Sequence, residues 1–199
     1  DMLFSSVFKA SSGFSSRRFT SDMRAAAEDG LIDRPPHFNT VSNYLSDPQL
    51  TPLLKALIEL SASPLKAVEI DFAIDSTGFA TSSYLRWYDH KWGKERSQHS
   101  WVKTHVMCGV KTHVVTAVEA SLTQLADTKQ LPYLLERTAL EFDIGEVSAD
   151  KAYSSRHNLR AIQAAGGTAY IPFKSSSTGQ ATPKHRYDGL WHKMWAYYN

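Results

Sequence analysis

At Val68 the spacing of apolar residues changes, and that change constrains the fold more than any other feature of this 199-residue chain. Before it the pattern is helical. In "PQLTPLLKALIEL", Leu50, Leu53, Leu54, Leu57 and Ile58 recur at helical spacing, and "TSDMRAAAEDG" offers Thr20 or Ser21 as a cap and Gly30 as a stop. Between them "RPPHFNTVSNYLSD" breaks at Pro35 and Pro36 and restarts as a short helix near Asn39, and "SASPLK" reads as a linker. After it, Ile70, Phe72 and Ile74 alternate with Glu69, Asp71 and Asp75, as on a strand. In "WVKTHVMCGV", Val102, Thr104, Val106, Cys108 and Val110 share one face and Trp101, Lys103, His105 and Met107 the other; with "VVTAVEASL" this segment forms a hairpin. "DTKQLPYLLERTALEF" returns to helical spacing. A short strand in "GEVSAD", a helix from Ser154 or Ser155 to Gly166 and Gly167, an edge strand in "TAYIPFK" with Pro172, and a helix in "GLWHKMWAYYN" complete the chain.

The expected order is therefore a helical N-terminal region over 1–66, then three strands, helix, strand, helix, strand, helix over 67–199. That is an α/β domain with a mixed five-stranded sheet flanked by helices, and in such sheets function gathers at strand ends. Composition adds exclusions. With 42% hydrophobic and 21% charged residues the chain is an ordinary globular protein; its single Cys108 forbids an internal disulfide. No window reaches the roughly 18 uninterrupted apolar residues of a membrane span, and the first residues lack a secretion signature, so a cytoplasmic setting is expected. Residues 151–199 hold 7 Lys or Arg against 1 acidic residue, a balance of +6 that leaves −4 on residues 1–150. A basic C-terminal part fits a polyanionic partner, and equally a solvated basic face.

Two carboxylates stand out on this map. Asp75 ends the apolar run of the first strand in "AIDSTGF", and Asp150 ends the fourth strand in "VSAD". Taken singly, each has a plainer reading, Asp75 as a turn former and Asp150 as a helix-start residue. If the first and fourth strands are parallel neighbours, however, the two carboxylates meet at one sheet edge, where like charges repel unless a cation lies between them. Mg²⁺ takes hard oxygen ligands and few protein carboxylates, and a pair of such ions serves phosphodiester chemistry. Asp71 shares the strand face of Asp75 and is its rival.

"AIDSTGF", "YDHKWG", "HSWVKTHVMCGVKTHVVTAVE", "VSADKAYSSRHNLRAIQAAGGTAYIPFK" and "LWHKMWAYYN", in that order, closely resemble the DDE transposases of bacterial insertion sequences. The resemblance runs from about Arg18 to the last residue. It implies a ribonuclease H-like catalytic fold, two divalent ions (Mg²⁺ or Mn²⁺), and the cutting and rejoining of double-stranded DNA at element ends and target. By resemblance Asp75 matches the first catalytic and metal-binding acid and Asp150 the second. The family's third acid is a Glu on a helix downstream of "LWHKMWAYYN", a place no residue of this chain occupies; Asp188, Glu136 and Glu141 are the nearest substitutes. The expected protein is a transposase, inactive alone in this form, with a homodimer on DNA as the expected assembly. Two other readings stand beside it: a non-catalytic DNA-binding remnant that regulates transposition, and a different metal-dependent nuclease on the same fold.

The stretch "YLRWYDHKWGKERSQHSWVKTH" mixes basic and aromatic residues suited to phosphate contact and base stacking, and equally to a solvated hairpin over packed aromatics. The resemblance favours DNA, through Arg86, Lys91 and Lys103. Lys151, Arg156 and Lys174 flank the two aspartates at strand ends and are either phosphate contacts or surface charges. His90, His99, His105 and His113 form no zinc-like pair. Asp127 reads as a helix N-cap and Cys108 as a small buried apolar residue. The helical N-terminal region is either a DNA-binding element or a cap.

Overall fold

The computed structural model describes residues 1–80, 101–121, 126–179 and 188–198. Backbone contacts divide the chain into two units, Asp1–Ala56 and Leu57–Asn199. Among the described residues no helix is long and apolar enough to cross a membrane.

The first unit is built from α1 (Met2–Ser12), α2 (Phe19–Glu28), α3 (Phe38–Leu45) and the start of α4 (Leu50–Ala62). Its core is Phe19, Met23, Ala26, Ile32 and Val41, with Met2, Phe8 and Ala27 packed against it. Pro35 and Pro36 force the break before α3, whose N-cap is His37: its ring Nδ1 accepts from the Asn39 amide at 3.2 Å. The expected cap of α2 is displaced. Arg18 stands at the N-cap and Phe19 opens the helix, because burying Phe19 in the core draws the first turn upstream of Thr20 and Ser21.

In the second unit "SASPLK" is not a linker: Ser61 and Ala62 finish α4 and Ser63–Leu65 turn once more as a 3₁₀ helix. Ile70 lies before the first strand and is half exposed. The strands are β1 (Phe72–Ala80), β2 (Trp101–Gly109), β3 (Val115–Ser121), β4 (Glu146–Ala149) and β5 (Thr168–Tyr170). They form one sheet in the order β3-β2-β1-β4-β5. β2 runs antiparallel to β1 and β3, whereas β1–β4 and β4–β5 are parallel. This is the ribonuclease H-like arrangement, with α5 (Asp127–Ala139) connecting β3 to β4, α6 (Arg156–Ala164) connecting β4 to β5, and α7 (Gly189–Tyr198) following. β5 is an edge strand that ends before Pro172, whose missing amide would interrupt a ladder.

One sheet face carries the core. Phe72, Ile74, Met107, Ala117 and Val147 meet Leu131, Leu134 and Leu135 of α5 and Leu159 and Ile162 of α6, all buried. The turn between β2 and β3 is fastened from outside the hairpin by Glu69. Its carboxylate accepts from the Thr112 amide at 2.7 Å, the Thr112 hydroxyl at 2.8 Å and the Lys111 amide at 3.1 Å. Burial pushes the Glu69 carboxyl up, yet these hydrogen bonds hold it below the ordinary value on balance. Cys108, expected to be buried, is only half-buried, because it lies on the opposite face of β2 from Met107.

Candidate active site

Alternation along β1 buries Phe72 and Ile74 on the core face and turns Asp75 to the other, where it is exposed. β4 alternates in the same way, with Val147 buried. The parallel register pairs Phe72 with Val147, Ala73 with Ser148 and Ile74 with Ala149. One step further along both chains stand Asp75 and Asp150. Residues paired across a parallel ladder share a face, and neighbouring strands run about 5 Å apart, so the two aspartates lie side by side at the end of the β1–β4 ladder. Three contacts hold that ladder in register: the Asp71 carboxylate accepts from the Glu146 amide at 2.9 Å, the Gly145 amide donates to the Ile70 carbonyl at 2.7 Å, and the Ser148 hydroxyl donates to the Phe72 carbonyl at 3.3 Å. Asp71, the rival, is thus a strand clasp at the start of β1.

Each of the two carboxylates is anchored through one oxygen. Asp75 Oδ1 accepts from the Ser76 amide at 2.7 Å, and Asp150 Oδ1 accepts from the Ala152 amide at 2.8 Å, opening the 3₁₀ turn Lys151–Tyr153. Their second oxygens take no hydrogen bond among the described residues. Two exposed carboxylates with uncommitted oxygens are the hard, oxygen-only donors that a divalent cation of the Mg²⁺ kind accepts. Among the described residues no group of three His, Cys, Asp or Glu side chains is placed to hold a metal ion.

Under this edge, on the core face, lies a buried polar cluster. The Tyr153 phenol stands 2.9 Å from His105 Nδ1. Burial, together with the Asp127, Asp75 and Asp150 charges, pushes the phenol far above its ordinary value. Burial likewise pushes the His105 imidazole down, against the pull of Asp127. His105 is fully buried, and its Nε2 has no hydrogen-bond partner among the described residues.

Asp127 does not cap α5. It is the first helical residue, Ala126 holds the N-cap position, and its carboxylate is ion-paired with Lys103 and 3.7 Å from His105 Nδ1. A tertiary cation reaches that carboxylate more favourably than the helix amides do. Lys103 accordingly sits on the core face of β2, in register with Gly78, engaged with Asp127. Lys151 is exposed directly beside Asp150, and Lys174 is exposed beyond β5. Arg156 opens α6 with its guanidinium 5.0 Å from the Trp191 ring centroid. Asp188 is nearly buried: it accepts from the Trp191 amide at 3.2 Å and pairs with Arg160, which ties α7 to α6. Burial pushes its carboxyl up, but these partners hold it below the ordinary value. Glu136 and Glu141 are exposed, on α5 and just after it, and His113 lies in the β2–β3 turn. Arg86, Lys91, His90 and His99 lie outside the described residues.

The family described as "Transposase DDE domain" matches residues 66–193, which take in all five strands and both aspartates. The chain belongs to this transposase DDE domain family. Among solved structures, a piggyBac transposase synaptic complex with hairpin DNA resembles it at 11% identity and a TM-score of 0.41, over 90% of this chain and 41% of that one. This chain thus spans less than half the length of that transposase. DDE transposases generally use divalent metal ions.

The buried pair of Tyr153 and His105 escaped sequence reasoning. Its signal was present: His105 falls on the same strand face as Met107, and a polar residue on an otherwise apolar face marks a buried network or a ligand.

Proposed function

We propose that this chain is the catalytic part of a transposase of the bacterial insertion-sequence kind, which cuts double-stranded DNA at the ends of a mobile element and joins those ends to a target. The observation that supports the reading is the parallel β1–β4 register, whose last pair, Ile74 and Ala149, immediately precedes Asp75 and Asp150, each anchored through one oxygen. Asp75 and Asp150 hold the divalent ions, Mg²⁺ or Mn²⁺, two in the complete site. When bound, such ions lower the pKa of an attacking water or 3′-hydroxyl and offset the charge that develops on the leaving oxygen. The chain's own contribution is to fix the carboxylates on strand ends, since the reaction needs no protein nucleophile. Lys151 and Lys174, with Arg156, Arg86 and Lys91, contact phosphates beside the cut. A third carboxylate completes the trio, and the helical N-terminal residues 1–66 are either a DNA-binding element or a cap.

The test is metal-dependent nicking of duplex DNA bearing the element's terminal sequence. It compares the 199-residue chain with one extended through the downstream helix, each with Asp75→Asn and Asp150→Asn. The extended chain should nick, and each Asn variant should abolish it. The short chain should fall at least about a hundredfold below, because a misplacement of about 1 Å costs that much in rate. Nicking that persists in both Asn variants would remove these residues from the chemistry. DNA binding without nicking by the extended chain would assign the protein to the regulatory class.

A further inference from the structure

The two carboxylates lie on different strands, and something must set the distance between their backbones. Ser76 follows Asp75 directly, and its amide holds the Asp75 carboxylate. Tyr153 is the last residue of the turn that Asp150 opens, and the amide of Ala152 in that turn holds the Asp150 carboxylate. The Tyr153 phenol stands 2.9 Å from His105 Nδ1. His105 is in turn the β2 residue paired with Ser76 in the antiparallel ladder. At its other end Tyr153 is clamped as well: its carbonyl accepts from Asn158 Nδ2 at 2.7 Å, and Asn158 is fully buried in the first turn of α6, which Ser155 caps.

We propose that Tyr153 is a positioning residue, whose phenol ties the turn after Asp150 to the β2 residue paired with Ser76 and so sets the spacing at which the two carboxylates receive divalent ions. The proposal rests on the reading of Asp75 and Asp150 as the metal site. The geometry argues for a role beyond packing. A buried phenylalanine would fill the same space, whereas the hydroxyl reaches a polar partner on β2. His105 sits fully buried with its Nε2 unpartnered among the described residues, an arrangement that packing alone would replace with an apolar side chain. Tyr153 and His105 are both buried, so they act through the backbone of their neighbours and not by touching DNA.

The measurement is Mn²⁺ affinity of the 199-residue chain, read from the electron paramagnetic resonance signal of free Mn²⁺, with circular dichroism and thermal unfolding on every variant. Asp75→Asn and Asp150→Asn should each abolish the binding. Tyr153→Phe should weaken it about tenfold, the low end of what losing a group that orients metal ligands costs. His105→Leu, which removes the same bond from the β2 side, should weaken it severalfold and decides the matter if Tyr153→Phe fails to fold. Ile162→Val, a mild truncation in the same core, should lower the unfolding temperature and leave affinity unchanged. Wild-type affinity in folded Tyr153→Phe or His105→Leu, with binding still lost in both Asn variants, would overturn the positioning role and leave the metal site standing. Affinity lost equally in Ile162→Val would do the same. Affinity kept in both Asn variants would overturn the metal site itself, and the positioning role with it.

Discussion

Glu69→Gln tests whether a buried carboxylate outside the hairpin fastens the β2–β3 turn by its charge. The substitution keeps the shape and changes only charge and hydrogen-bonding pattern. Glu69 is 1% exposed and accepts from the Thr112 amide, the Thr112 hydroxyl and the Lys111 amide. Hydrogen bonds to an ionised acceptor are roughly twice as strong as neutral ones, so removing the charge costs about 1 kcal/mol for each of the three. The cheaper burial of a neutral amide offsets part of this, leaving a net loss of about 2 kcal/mol. For a unit of this size that is a fall of about 4–8 °C in unfolding temperature. The assay is urea unfolding followed by tryptophan fluorescence, which reports only on the unit containing Glu69, since all 5 tryptophans lie beyond residue 86. The pH dependence gives the decisive sign. A carboxyl held below its ordinary value contributes stability that is fully present above the unfolded pKa of about 4.3 and is lost as pH falls through the folded value. The gap between wild type and Glu69→Gln should therefore be constant from pH 7 to pH 5 and narrow below about pH 4. A gap under about 0.5 kcal/mol at pH 7, or one that persists undiminished to pH 3, would refute the argument that charge-assisted bonds hold this turn.

Two further outcomes follow from side-chain placement. A Cβ at Gly109 would overlap the Glu69 side chain, so Gly109→Ala should destabilise the same unit by about 2–3 kcal/mol, and its effect should be non-additive with Glu69→Gln in a double-mutant cycle. For DNA binding, Lys151→Ala and Lys174→Ala should each reduce the log–log salt slope by about 0.9 on duplex DNA, whereas Lys103→Ala should leave it unchanged because Asp127 holds that ammonium.

The order of elements in the second unit was legible in the sequence because hydrophobic period is a local property that burial on one face imposes residue by residue. The switch at Val68, the hairpin, and the strand–helix–strand crossover all leave that mark, and the sheet order β3-β2-β1-β4-β5 uses each of them. What the pattern misplaced were positions where a distant partner outweighs a local preference. Asp127 has the sequence position of a cap, yet Lys103, 24 residues earlier, takes its carboxylate. Glu69 alternates as a strand residue would, yet it lies ahead of β1 and serves a turn more than 40 residues further on. Cys108 has a buried residue's chemistry but stands on the half-covered face of β2.

The position of Asp75 and Asp150 at the end of the parallel β1–β4 ladder was readable for a different reason. Each breaks an apolar run at a strand end, and parallel neighbours joined by a crossover bring such ends to the same edge, so two local observations and one topological rule suffice. No comparable rule reaches Tyr153 and His105, which are 48 residues apart and meet through a single hydrogen bond. A buried polar cluster of this kind costs stability relative to an apolar one unless every member is satisfied, and His105 Nε2 is not satisfied among the described residues. A chain shaped for stability alone would place a leucine or phenylalanine at these positions. That it places a histidine and a tyrosine directly beneath two exposed carboxylates argues that the geometry of the edge, and not the density of the core, sets the residue types there.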